Sequence, residues 1–522
     1  MSDAVPTATT TTATTTAWPA PAPGRRRARL PRLLSEPMWV LGLVVLVDEI
    51  DKNIVRGMIT PLKNEFGVGD LGISVMLSLA LLLNGLVTVP AGYLADRWNR
   101  TRAVGHTVVG WSALSALGAA ALHFPMLVTL RSALGFGQAI TEPSAASLLG
   151  DYYPPARRGR AFSIQQVMLL VGTGLGVAIG GGLAAALNWR VGLLVTALPG
   201  LAVAWLVFRL REPRRGSADL LAAIGGEGES GDSHELAADA EAMESSTTAG
   251  SGGQGARLFE GGLRRFTRDM VVGLRADMRT IMDIRTMRYA LVGVAALLFT
   301  VTAIASWLPQ YYERHLHLDK GAGEAAFGLL AIVAGVPGVL LGGRVADRLA
   351  PRLTGGRLAL PAVFLFVGTS CFTASYLFRM PAGTTGTDWS VIGPAYALQL
   401  AGLFIITMAI PGLRAGLTDA LPAHLRGAGF GAFNLVSVVA GQAAAPFVVG
   451  ALSAGFDENL RTAFLIVTPF SFLGAAILFR ARRFLDADMQ KIMLAVLTAL
   501  QEEQARAQEG QAEPMIPKVH SK

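Results

Sequence analysis

The most telling charges in this chain sit where charge is expensive. Asp48, Glu49, Asp51, Lys52 and Arg56 follow directly on the apolar run 38–47. Arg131, Gly135, Gln138 and Glu142 recur at i, i+4, i+7 and i+11 within another apolar run, which places them on one face of one helix. A buried carboxylate can take up and release a proton, and a guanidinium can grip a phosphate or carboxylate. The same acids could equally form a static network that locks helices together. A charge near a bilayer centre costs at least about 2.5–3.5 kcal/mol unless it is paired or wet. Under either reading these groups must meet each other, or water, inside the protein.

The elements that position them are expected to be membrane spans. Of 522 residues, 52% are hydrophobic and 16% charged, against about 25% charged in an average soluble domain. The apolar residues fall in runs of roughly 18–25 without alternation, long enough to cross a bilayer as helices. Spans are expected near 38–61, 72–95, 103–123, 126–149, 161–186 and 190–210, then near 288–310, 324–346, 357–378, 391–417, 429–453 and 460–480. The fold class is therefore an all-α membrane protein with twelve transmembrane helices in two pseudo-symmetric six-helix bundles. At 1.5 Å per residue, Asp48 and Asp51 lie roughly 15–20 Å into the first span and Arg131 roughly 10 Å into the fourth, entering from the other side. These depths bring Asp51 and Arg131 to about one level.

Internal repetition supports two halves. The turn GYLADRWNRTR (92–102) returns as GGRVADRL (342–349), so Gly92, Asp96 and Arg97 recur as Gly343, Asp347 and Arg348, 251 residues further on. RRGRAF (157–162) has a weaker echo in LRGAGF (425–430). Basic residues crowd the arm at 25–29 and the turns at 97–102, 157–160, 348–357, 426 and 480–483, whereas the turns near 123, 188 and 457 are poor in them. The positive-inside rule then places both termini in the cytoplasm. The formal charge of +8 is accounted for by this topology signal, and nucleic acid is not expected as a partner.

Outside the spans, residues 1–37 form an expected disordered basic arm. Its Arg25–Arg27 anchor the first span rather than marking a twin-arginine signal. Residues 38–210 and 288–483 are the two bundles. Between them, 211–287 combines an acidic Gly/Ser-rich linker with a basic amphipathic helix over 257–287, expected to lie on the inner leaflet. The tail 484–522 begins with a second amphipathic helix over 484–504, taken as a surface helix without a part in transport. The one cysteine, Cys371, lies inside an apolar span, so neither a disulfide framework nor a metal cluster is expected. No phosphate-binding Gly-Lys loop, His-Glu-x-x-His or Gly-x-Ser-x-Gly occurs, which argues against an enzyme and against any cofactor, and favours an ion gradient over ATP. The scarcity of Lys (six of 45 basic residues) with abundant Ala and Gly suggests a GC-rich bacterial source.

With these motifs in order, the chain resembles the major facilitator superfamily over essentially residues 38–483. The resemblance is carried by Gly92, Asp96, Arg97 and Arg100 between the second and third spans, by Arg131, Gly135 and Gly137 in the fourth, and by Gly172, Gly174, Gly176, Gly180 and Gly181 in the fifth. It implies alternating access by two rocking bundles, a cytoplasmic latch formed by the Gly-x-x-x-Asp-Arg turns, and a monomer. The proline usual in antiporter versions of the fifth-span pattern is missing, which leaves the direction of transport open. A narrower resemblance is to the spinster-like branch, whose members move lysophospholipids, sphingosine 1-phosphate and related amphiphiles. Its carriers are Asp51-Lys52, FGVGD (66–70), PPARRGRA (154–161), REPRRG (211–216) and WLPQYY (307–312). Gln138 stands where that branch has glutamate, and Glu142 follows one turn later.

The expected function is secondary active transport, proton-coupled, of an amphiphilic anionic or zwitterionic lipid across a bacterial cytoplasmic membrane. The alternatives are transport of a small drug or organic anion, or a non-transporting membrane sensor. Asp51 and Glu142, with Asp48 and Glu49, are the expected proton sites. Arg131 pairs with a carboxylate in the empty state, and a substrate anion would displace that carboxylate and promote its protonation. Gln138, Arg414, Gln310 and Asn434 are the further candidates for substrate contact, and Gln442 for the cavity wall. Arg414 fits a snorkelling position as well as a ligand contact. Trp307, Tyr311 and Tyr312 fit an interfacial aromatic belt or a gate over the cavity.

Overall fold

The computed structural model describes residues 36–95, 99–153, 155–213, 278–279, 281–319, 321–381, 388–419 and 435–512, with isolated positions 268, 272, 275 and 386 between them. Every long element among them is helical. In the first half these are α1 (Pro37–Ile54), α2 (Ile59–Phe66), α3 (Asp70–Ala95), α4 (Arg100–Ala119), α5 (Phe124–Tyr152), α6 (Pro155–Ala186) and α7 (Trp189–Val207). In the second they are α8 (Arg285–His315), α9 (Ala322–Leu330), α10 (Val336–Leu349), α11 (Gly356–Leu377), α12 (Trp389–Asp419), α13 (Ala444–Gly455) and α14 (Leu460–Ala512).

Local chemistry sets the ends. Pro37 opens α1, where its missing N–H costs nothing. Asn99 caps α4 by accepting from the Arg102 amide at 2.8 Å, and Asn188 caps α7 through the Arg190 amide at 3.0 Å. Gly67, with φ +64, ends α2 in the left-handed conformation that frees the chain to reverse into α3. A short 3₁₀ turn, Val55–Met58, joins α1 to α2 in one rod. One-turn π segments at Ala331–Gly335 and Ser437–Ala443 interrupt the rods that continue as α10 and α13.

Nine helices among the described residues are long and apolar enough to cross a membrane. They match nine of the twelve expected spans. The other three expected spans fall on α1–α2, α4 and α5, which hold the polar groups of interest: Asp48, Glu49, Asp51 and Lys52 on α1, and Arg131, Gln138 and Glu142 on α5. These charges keep α1 and α5 below that apolarity.

Glycine governs the tightest seams. A Cβ at Gly172 or Gly176 of α6 would lie 2.7 Å from the Leu46 or Ile50 carbonyl oxygen of α1, and one at Gly180 would strike Ile54 O. On the opposite face of α6, a Cβ at Gly174 would come 2.7 Å from Gly328 O, and one at Gly328 would come equally close to Gly174 O. That reciprocal crossing of α6 and α9 joins the two halves. Gly174→Ala is therefore expected to push the halves apart there. In a Cys371→Ala background, spin labels on the facing ends of α6 and α9 should report longer distances, while Gly182→Ala, which meets open space, should leave them unchanged. Equal distances in both variants would count against the seam.

One expectation is refined and another changes. The tail helix expected over 484–504 is continuous with the last span: α14 runs 53 residues without a break, because no proline or glycine falls between its apolar part and 484–504. Trp307, Tyr311 and Tyr312 are not an interfacial belt. All three are buried in the second half's core, where Trp307 Nε1 donates to Pro446 O at 3.1 Å and Tyr312 OH to Gln399 Oε1 at 2.6 Å. Buried partners for both polar tips remove the need for an interface. The arm before residue 36 and most of 211–287 lie outside the described residues.

Candidate functional site

A cavity of about 310 Å³ lies between the halves. Its charged lining residues are Glu49, Asp51, Lys52, Arg56, Arg131 and Glu142, all from the α1 rod and α5, with Arg414 of α12 as the exception. The second half contributes a mainly apolar wall, including Leu297, Val301, Phe327, Leu403 and Leu413, with Thr302, Thr407 and Gln442 as its other polar groups. The cavity thus has one ionic side and one greasy side.

Asp51 and Arg131 meet, as their depths in the sequence suggested. Arg131 Nη1 donates to Asp51 O at 3.1 Å and to Oδ2 at 3.4 Å. Ser115 Oγ donates to Asp51 Oδ1 at 2.5 Å, and Thr196 Oγ1 to the same oxygen at 3.4 Å. Asp51 is 2% exposed and Arg131 7%. Arg131 Nε and Nη2 have no hydrogen-bond partner among the described residues. One guanidinium thus holds the carboxylate with one nitrogen and keeps two donors in hand. Ser115 and Thr196 lie on α4 and α7 and did not enter the sequence reading, since nothing distinguishes them locally from other small polar residues in spans.

Lys52 gathers the neighbouring acids, with Nζ 2.5 Å from Asp48 Oδ2 and 3.1 Å from Glu49 Oε1. Asn53 Nδ2 and Thr173 Oγ1 donate to Glu49 Oε2 at 3.2 and 3.3 Å, and Arg56 donates to Asn53 Oδ1. Glu49 faces the cavity, while Asp48 does not line it. Glu142 stands exposed on the cavity wall and forms no ion pair with a described residue. Gln138 is buried on the same face, and Arg414 lines the cavity from the second half. Gly135 takes α5 against α3, where a Cβ would strike Ala80 O. Asn434 lies outside the described residues.

Gln310 is not brought to the cavity. It is fully buried where α8 meets α2, accepting from Thr60 Oγ1 at 2.9 Å. It belongs to a network that the sequence reading missed. Asp70, at the start of α3 and fully buried, accepts from Lys63 Nζ at 2.8 Å, from Arg314 Nη1 and Nη2 at 2.7 and 2.8 Å, and from Ser453 Oγ at 2.7 Å. Lys63 also reaches Glu458 at 2.5 Å, and Thr60 Oγ1 donates to Glu313 at 2.6 Å. Among the described residues, the two ion pairs between the halves, Arg314–Asp70 and Lys63–Glu458, lie at this end of the bundle, opposite the basic turns. The signal was a lone aspartate opening one span and an arginine closing another.

At the basic end, Asp96 and Arg97 fall outside the described residues, as do details of Gly92 beyond its place in α3. Asp347 and Arg348 are exposed, and Gly343 is half-buried. Arg100 is bound within its own half. Only 1% exposed, it donates from Nε to Glu212 Oε1 at 2.8 Å, from Nη1 to Ser147 Oγ at 2.7 Å and to Asp151, and from Nη2 to Pro213 O at 3.0 Å. Thr101 gives both amide and hydroxyl to Glu212 Oε2, at 2.8 and 2.7 Å. The chain leaving α7 is thereby strapped under α4. Burial pushes the Glu212 carboxyl up, but the Thr101 and Arg100 donors outweigh it and hold it below its usual value. A depressed carboxyl stabilises the fold above its unfolded pKa, and the benefit is lost as pH falls through the folded one. Glu212→Gln should therefore cost about 2 kcal/mol near neutral pH. Its melting-temperature deficit against the parent should shrink in acid, below the ordinary glutamate range. A deficit independent of pH would refute a charged strap.

Comparison with known proteins fits this geometry. A family model described as Major Facilitator Superfamily matches residues 41–446. Protein spinster of Drosophila melanogaster is 23% identical over 434 residues, covering 81% of this chain but 62% of that protein, less than two thirds of its length. Sphingosine-1-phosphate transporter SPNS2 of Danio rerio is 24% identical over 447 residues, 81% of this chain and 77% of that one. Probable L-galactonate transporter of Escherichia coli (strain K12) is 23% identical over 385 residues, 72% and 76% respectively. Among solved structures, a bacterial homolog of the human lysosomal transporter Spinster, inward-facing and unoccupied, superposes with a TM-score of 0.67 at 19% identity, covering 88% of this chain and 99% of that one. The all-helical fold with its paired halves and central cavity, together with the family match across most of the chain, makes this a multi-pass membrane transporter rather than an enzyme: the chain belongs to the Major Facilitator Superfamily, with spinster proteins among its relatives.

Proposed function

We propose that the chain is a proton-coupled carrier of a single-chain anionic or zwitterionic amphiphile, such as a lysophospholipid, working by alternating access. The observation that carries this reading is the two-sided cavity. An ionic wall from α1 and α5 suits a phosphate-bearing headgroup, and the apolar wall of the second half suits an acyl chain. The spare donors of Arg131 grip the headgroup. As Arg131 turns to the substrate, Asp51 loses its cation and takes up a proton. Glu142, exposed on the cavity wall, exchanges that proton with the open side, and Glu49 and Asp48 remain under the hold of Lys52. Among the described residues, the ion pairs that join the halves, Arg314–Asp70 and Lys63–Glu458, fit a state closed at that end and open toward the basic turns, which on the positive-inside reading face the cytoplasm. The Asp96 and Asp347 turns are then the latch of the opposite state. A monomer in a bacterial inner membrane, with the three polar rods completing twelve spans, completes the reading.

The second reading, a small organic anion, is favoured by the relative named for L-galactonate and by Arg414 opposite Arg131. Purified protein in liposomes enclosing a pH-sensitive dye separates the two. Proton movement driven by a lysophospholipid, and lost in Asp51→Asn, supports the amphiphile reading. Movement with a sugar acid alone supports the second. Substrate flux without proton movement makes the buried acids structural and the protein a uniporter.

A further inference from the structure

A second cavity, of about 360 Å³, opens at the basic end of the second half and is lined by Arg285, Arg288, Tyr289 and Phe484. It shares no lining residue with the central cavity. Arg285 and Arg288 are exposed, stand at i and i+3 on α8, and form no ion pair with a described residue. Tyr289 and Phe484 stack across α8 and α14, with ring centroids 5.3 Å apart and planes 10° from parallel. The helix N-terminus is not the attraction. Asp488 Oδ2 already accepts from the Thr286 amide at 2.9 Å and hydroxyl at 2.7 Å, and Lys491 stands 4.0 Å from its other oxygen. The guanidinium groups of Arg285 and Arg288 are the free donors.

The order of chemistry along α8 is that of a membrane boundary: arginines, then Tyr289, whose ring stacks on Phe484 of α14, then the apolar run from Ala290 onward. Aromatic rings favour headgroup level, and the arginines lie just outside it. Single-chain or double-chain, a lipid at this depth presents its phosphate to the arginines and its glycerol and first acyl carbons to the rings. We propose that this cleft binds an anionic phospholipid from the surrounding leaflet, its headgroup phosphate held by Arg285 and Arg288 and its glycerol region resting on the Tyr289–Phe484 stack. The lipid would bridge α8 and α14 and is not the transported molecule. The inference is independent of which substrate the central cavity carries.

The test is native mass spectrometry of the purified full chain titrated with phosphatidylglycerol. One lipid should be retained, in preference to phosphatidylcholine. A basic residue near an anionic surface contributes about 1 kcal/mol, so Arg288→Gln should weaken retention about 5-fold and Arg285→Gln with Arg288→Gln about 30-fold. Arg131→Gln, in the central cavity, should leave it unchanged. Equal retention of phosphatidylcholine, or unaltered retention in the double variant, would overturn the proposal. So would loss in Arg131→Gln alone, which puts the lipid in the central cavity, or full displacement by millimolar inorganic phosphate, which makes this a free-phosphate site.

Discussion

Arg131→Ala is expected to reduce transport at least about 100-fold while the protein still reaches the membrane in normal amount. Arg131 serves Asp51 through Nη1 and leaves Nε and Nη2 for an anion. Removing one member of a buried pair costs about 3–5 kcal/mol, equivalent to roughly two to nearly four orders of magnitude in an equilibrium. Here the loss falls twice, on the anion's grip and on the partner of Asp51. Arg131→Lys separates these contributions. A lysine restores a point charge for Asp51 but not the planar fork that meets two oxygens at once. Proton binding at Asp51 should then survive while substrate affinity falls, so lysine should raise KM more than it lowers the maximal rate. A purely structural arginine would show no such split. Robust transport by the alanine variant in the liposome assay would sink both the substrate role and the pairing logic.

The first-span acids and Arg131 were legible because position in a span is itself a physical statement. Charge at such depth needs a partner, and helical rise brings Asp51 and Arg131 to one level before any coordinates exist. The fifth-span glycines stood out in the sequence only as a family pattern, and it is the structure that shows α1 approaching the face formed by Gly172, Gly176 and Gly180. What escaped was what depends on helices remote in sequence. Asp70 stood out only as the last residue of FGVGD and Arg314 not at all, and only the approach of the two halves turns them into one buried cluster. Gln310 looked like a cavity residue from its place near a span end, but helix rotation turns it toward Thr60. The motif of Arg100 does not reveal its bonds to Asp151 and Glu212 of its own half, which lie far along the chain. Patterning specifies how deep a residue lies in a membrane much better than it specifies the helix that residue faces.

Asp70→Asn should release the end of the bundle opposite the basic turns. Asp70 is fully buried and receives Lys63, both terminal nitrogens of Arg314 and the Ser453 hydroxyl. It therefore bonds residues of both halves at once. Asparagine keeps the shape but removes the charge, leaving Arg314 with Glu458 Oε2 at 3.9 Å as its remaining acid. With about 3–5 kcal/mol withdrawn from one state of a two-state carrier, its population should fall by two orders of magnitude or more relative to the alternative. Spin-label distances across this end should lengthen, and those across the basic end should shorten in step. A local loosening would lengthen the first set alone. Arg314→Gln should act in the same direction. Combining it with Asp70→Asn should perturb less than the sum of the two, because the double variant strands no buried charge. Unchanged distances in Asp70→Asn would mean that the Gly174–Gly328 crossing, rather than the ion pairs, holds this end shut. The Gly174→Ala variant would then be the one to open it.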